Sequence, residues 1–152
     1  MRAVLELVTA SLGSLGYALL FNVRGRRLLP AALGGLLAWG VYLAAMELWP
    51  TAPLCYLIAS AAFTLYAELL ARCLKTPATT FLVASAIPLI PGGSLYRTME
   101  YALQGDAAAF LRQGLDTLQL AAAIAAGILL MTAVFHLALQ IPQAVRNFLQ
   151  KK

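Results

Sequence analysis

The residues Pro88-Leu89-Ile90-Pro91-Gly92-Gly93-Ser94 fall inside an uncharged, mostly apolar stretch, Thr76–Tyr96. Each proline removes a helical hydrogen bond and clashes with the preceding turn, so the pair, followed by two glycines, ends any helix that reaches it. A helix resuming at Ser94 is expected to present unpaired amides at Gly93, Ser94, Leu95 and Tyr96, together with the positive end of its dipole. That is chemistry for holding a carboxylate. Gly92 and Gly93 let a ligand come close to the backbone, and the Ser94 hydroxyl can cap the helix or donate to the ligand. Arg97, one turn in, can add a bidentate contact. The candidate substrate-binding residues are therefore Pro91, Gly92, Gly93, Ser94, Tyr96 and Arg97. The simpler alternative is a plain turn, with Arg97 and Glu100 forming an i,i+3 pair.

Other polar residues are few. Glu68 and Glu100 are the carboxylates that could carry a proton in a coupling role, although Glu68 has Arg72 one helical turn away as a structural partner. His136 is the sole histidine and reads as interfacial packing, even though titratable groups within a membrane are functional suspects by default. No Ser-His-Asp set, metal cluster, phosphate-binding glycine loop or pair of acid/base carboxylates can be assembled, so neither an enzyme nor a cofactor is expected. Cys55 and Cys73 lie on one predicted helix about 27 Å apart, too far for a disulfide.

These residues need elements to hold them, and composition says what those are. Apolar residues make up 62% of the 152 and charged residues 11%, with a mean hydropathy of +0.82. Soluble domains run to about half apolar and about a quarter charged. Charges leave five long gaps, Leu7–Val23, Leu28–Met46, Leu48–Ala67, Thr76–Tyr96 and Thr117–Val145. A membrane crossing needs about 20 apolar residues. The expected fold is all-α, a polytopic bundle of about five transmembrane helices at about 3–22, 29–47, 53–72, 79–104 and 116–140. The fourth is broken at Pro-x-x-Pro-Gly-Gly, and one integral domain covers 1–152. The first apolar run is followed by Arg24-Gly25-Arg26-Arg27 rather than by a cleavage site, so it is expected to be retained as a helix. Segment 79–104 either spans or re-enters.

Small residues mark expected helix contacts: Ser11, Gly13, Ser14 and Gly16 in the first helix, Ala31 and Gly35 in the second, Ala121, Ala123, Ala125 and Gly127 in the last. Trp49 and Tyr56 suit an interfacial aromatic anchor. The net charge of +5 sits at helix ends rather than along one face, which excludes a nucleic-acid surface and reports orientation instead. With the N-terminus outside and five crossings, Arg24, Arg26, Arg27, Arg72, Lys75, Arg146, Lys151 and Lys152 are cytoplasmic, while Arg2, Arg97 and Arg112 are not. Re-entry of the fourth segment would move the C-terminal three outside, a poorer bias.

From Ala86 to Met99 the sequence resembles the threonine/serine exporter family, and within it the small membrane subunit of two-component exporters. The shared features are the Pro-x-x-Pro-Gly-Gly break, an aromatic residue soon after it, and Gly105-Asp106 before the last long helix. The resemblance implies a bacterial inner-membrane secondary transporter that exports small carboxylates (threonine and serine, or a dicarboxylate such as succinate). It also implies a larger partner subunit of similar architecture. Homo-oligomerisation is left open. The competing expectation is an assembly subunit with no substrate site, in which bulky substitutions at Gly13 or Gly127 do more harm than changes at Arg97.

Overall fold

The computed structural model describes the backbone of residues 2–150 and the side chains of residues 2–140. The described chain forms six α-helices: α1 (Arg2–Leu20), α2 (Leu28–Leu48), α3 (Ala52–Cys73), α4 (Ala78–Ala86), α5 (Gly92–Gln104) and α6 (Ala107–Gln150). Helices α1, α2, α3 and α6 are each long and apolar enough to cross a membrane. A fifth candidate crossing consists of α4 with the 3-10 turn Ile87–Leu89, followed by α5 at an angle of 57°. Large side chains such as Leu20, Leu29, Leu129 and Leu137 point outward all round the bundle, as lipid-facing residues do and as a water-soluble surface does not.

Helix ends follow local chemistry. Three of them close alike, with a residue in the left-handed region: Asn22 (φ 59), Lys75 (φ 49) and Gly105 (φ 75). The next amide reaches back five residues in each case, Val23 to Ala18 at 2.9 Å, Thr76 to Ala71 at 2.9 Å and Asp106 to Tyr101 at 3.1 Å. This satisfies carbonyls that the helix end would leave bare. Proline in the first turn opens α3, where the missing N–H costs nothing. The last helix starts at Ala107 rather than near 116. Asp106 Oδ1 accepts the Ala109 amide at 3.0 Å and caps it, and nothing between 107 and 116 breaks a helix. Arg112 and Asp116 end the apolar stretch without ending the helix.

Packing depends on glycines set against serines. A Cβ at Gly35 would overlap Ser14 Oγ on α1, one at Gly34 would overlap Ser85 Oγ on α4, and one at Gly127 would overlap Ser60 Oγ and lie 2.5 Å from the Leu57 carbonyl on α3. The central helix α2 thus touches two neighbours through adjacent glycines. It is tied further by Tyr66, whose hydroxyl donates to the Pro30 carbonyl at 2.7 Å, and by Ser11, which donates to the Ala32 carbonyl at 3.3 Å. Gly13 and Gly16 are different: a Cβ there meets nothing within 4 Å. Small residues alone left open whether their neighbour is this chain or another, and Gly13 lies on the outer face of α1.

The contacts also fix direction. Gly127 sits beside Leu57 and Ser60, while His136 approaches Glu68 at 3.9 Å and Phe135 lies under the Arg72 guanidinium at 5.0 Å. The sequence numbers rise together, so α3 and α6 run parallel. The α4–α5 segment between them therefore carries the chain from one end of the bundle to the other. From Ala107 to Gly127 is about 30 Å of helix, whereas α3 starts only about 10 Å above that contact. The first third of α6 overhangs α3, with α5 alongside.

Substituting Leu at Gly35 or at Gly127 should lower stability by at least about 2 kcal/mol through overpacking, whereas Leu at Gly13 should change it by less than about 0.5 kcal/mol. Unfolding of the purified chain in detergent by SDS titration would measure both. Equal losses at all three positions would contradict the packing described.

Candidate functional site

The break sits where the bundle stops covering the chain. Leu89 is fully buried among Ala38, Ala59 and Phe63, which places it about 10–16 Å along α3. Two residues later Pro91 turns the backbone outward and α5 leaves the core with no buried residue. The Gly92 amide bends back to the Ile90 carbonyl at 2.7 Å, and the Leu95 amide donates to Pro91 at 3.0 Å. Tyr96, fifth in the helix, is in line with the Gly92 carbonyl. The free amides narrow from the expected four to Gly93 and Ser94. Pro91 has no capping side chain, and a Cβ at Gly92 or Gly93 would meet open space.

Arg97 is exposed, and Tyr96 is 71% exposed. The Arg97–Glu100 pair does not form: among the described residues Glu100 accepts instead from Gln104 at 3.3 Å. Helix α5 is held by α6. Thr98 Oγ1 meets Thr117 Oγ1 at 3.3 Å, and the Thr98 methyl would be 3.6 Å from a Cβ at Gly114. The opposite side, with Leu95, Tyr96, Met99 and Leu103, is exposed and apolar. The six candidate residues fall within positions 91–97, at the open corner where α5 begins, and among the described residues no second wall faces that corner.

Of the two candidate proton carriers, Glu100 is one turn along α5 from Tyr96 and Arg97, whereas Glu68 stands apart from that corner. Glu68 is buried and faces His136 at 3.9 Å rather than Arg72, whose guanidinium covers Phe135. Glu100 is on the exposed part of α5. A different carboxylate does reach the break. Glu6 Oε2 accepts from Trp39 Nε1 at 3.3 Å, and the two line a cavity of about 250 Å³ with Thr9, Ala10 and Pro88. Sequence reasoning left Glu6 out as a charge preceding the first apolar run; the partner that singles it out is 33 residues away. Among the described residues no group of His, Cys, Asp and Glu could hold a metal ion.

The family model described as threonine/serine exporter, ThrE, matches residues 6–134, which takes in α2 to α5 and the break in full and most of α1 and α6. The chain belongs to the threonine/serine exporter family. No curated protein matches it, and no solved structure does. As a member of an exporter family it is a membrane transport protein and not an enzyme.

For this exporter the glycines at the break are open in space and carry no positive φ. Gly93→Ala should therefore leave thermal stability unchanged or raise it by up to about 1 kcal/mol, since alanine is the better helix former. Thermal unfolding in detergent checks this. A fall of more than about 1 kcal/mol would mean that the break is packed more tightly than described.

Proposed function

We propose that this chain is one membrane subunit of a secondary transporter that exports small carboxylates, threonine and serine or a dicarboxylate such as succinate. The substrate carboxylate is received at the start of α5. The observation that carries the reading is the open corner: two unpaired amides, two bare glycines and an arginine at the positive end of a half-helix. Unpaired backbone groups at membrane depth are tolerated only against protein or a wet cavity. Broken helices that receive anions in this way recur in secondary transporters.

The missing wall supports a larger partner subunit. The apolar side of α5 and the bare face of α1 around Gly13 and Gly16 are what a second membrane subunit would cover. Arg24, Arg26, Arg27, Arg72 and Lys75 lie at one end of the bundle, since Val23 and Leu28 share a cluster with Leu70 and Leu74. This favours that end as cytoplasmic in the inner membrane, with the N-terminus outside. The basic residues Arg146, Lys151 and Lys152, which entered the same argument, lie outside the described side chains.

Arg97→Gln removes a charge-assisted contact worth about 1.5–3 kcal/mol. Export should fall by about 10- to 100-fold, with the protein still inserted and its partner still at normal abundance. Export assays in cells, with immunoblots of both subunits, separate the outcomes. Wild-type export from Arg97→Gln would overturn the site. Loss of the partner in Gly13→Leu, whose side chain would point out of the bundle, together with normal export in Arg97→Gln would favour an assembly subunit.

A further inference from the structure

We propose that Glu6 is the carboxylate that takes up and releases the proton coupled to export, an assignment that rests on the transporter reading above. Several observations converge on it. Glu6 lies in the first membrane helix, half-buried, where a lone charge is expensive and marks function more often than structure. Among the described residues no Lys, Arg or His nitrogen comes within 4.0 Å of it. Its partner is a neutral indole N–H at 3.3 Å, a long bond that leaves most of the carboxylate's acceptor capacity unused. An open groove of about 250 Å³ lies beside it, with Thr9 and Glu6 on its wall and room for water. Its far wall is Pro88, the first residue of the break.

The surrounding groups leave the proton as the cheapest neutraliser. Helix α2 brings Trp39 and, tilted against it with ring centroids 4.9 Å apart, Tyr42. The segment from α4 through the 3-10 turn has no titratable side chain. Arg2, one turn earlier on α1, is exposed. A proton from water enters the cavity and binds a carboxylate oxygen of Glu6, and the Trp39 N–H loses an anionic acceptor. Release is the reverse step, to water on the other side. The groove between α1 and α4 has a second cavity toward its other end, about 280 Å³, lined by Tyr17, Thr79 and Thr80 among others. Pro88 lines the first cavity one residue before the buried Leu89, so Glu6 lies beside the point where the anchored arm ends and the bend toward α5 begins. A group whose environment differs between two conformations has different proton affinities in them, which is what coupling requires.

Trp39 reports the proton directly. In the full chain carrying Trp49→Phe, Trp39 is the only tryptophan, and its emission can be followed from about pH 4 to about pH 9. One sigmoidal change is expected, and it should vanish in the Glu6→Gln variant, which keeps the size of the side chain and an acceptor oxygen. In cells, Glu6→Gln should lose gradient-driven accumulation, about tenfold per pH unit of gradient, and should still exchange substrate for substrate. The same titration in Glu6→Gln, or a flat curve in the parent, would overturn the proposal. Because fluorescence is read without transport, a clean titration paired with no carboxylate export by the parent would sink the functional reading and leave the proton site standing.

Discussion

Close approach of backbones at three glycine–serine contacts is what the rest of this structure depends on. Lipid tails are as apolar as leucine, so burying leucine gives membrane helices no reason to associate; dispersion at short range and a few polar contacts must do it. Gly34 and Gly35 turn α2 into a hub, receiving Ser85 from α4 on one side and Ser14 from α1 on the other. The Ser14 and Ser85 hydroxyls are buried with no conventional partner. Each oxygen lies against a glycine Cα, where weak Cα–H···O contacts are available, and each is small enough to let the helices meet. Ser60, opposite Gly127, differs by donating to its own helix at Leu57, 2.8 Å away.

That tight arrangement explains why the break is open. Helix α4 is short, yet Phe81, Ala84, Ser85 and the following Leu89 are buried, so it is anchored up to the residue where the first proline falls. Past Pro91 no glycine–serine contact holds the chain, and α5 is kept near the bundle by α6 and the Thr98–Thr117 contact. The rigid part ends at Leu89 and the exposed part begins at Gly92, with the bend between them. A site at that junction would have one side fixed in the core and one side held by α6 alone, which suits a device that must bind and then let go.

Much of this was legible in the chain. Charges and prolines bound α1 through α4 so sharply that expected and observed limits differ by no more than two residues. The break itself follows from Pro88, Pro91, Gly92 and Gly93. What the sequence does not carry is which face meets which. Small-xxx-small spacing says that a helix surface is smooth without naming its neighbour, so Gly13 and Gly35 looked alike and turned out opposite. A charge marks where an apolar stretch stops and is silent on whether the helix stops too, which is why α6 extends past Asp116 and Arg112 to a cap at Asp106. Likewise the i,i+4 spacing of Glu68 and Arg72 allows a pair, but α6 offered each a better neighbour, His136 and Phe135.

The parallel course of α3 and α6 has the widest consequence. Neighbours α1 and α2 are antiparallel, since Ser14 meets Gly35 while Leu7 nears Gly40. So are α2 and α3, with Tyr42 against Tyr56 at 4.9 Å and Tyr66 reaching back to Pro30. Helices α1, α3 and α6 therefore point the same way, and with α4–α5 counted as one pass the described chain makes an odd number of passes. A second unit of the same architecture joined to this one in sequence would enter the membrane from the other side and run inverted. The open corner at α5 would then face the matching corner of an inverted copy or homologue, and each half would supply the wall that the other lacks. A single chain with an even number of passes could not build that pairing by simple fusion. An odd count is what an inverted pairing of two such units would require.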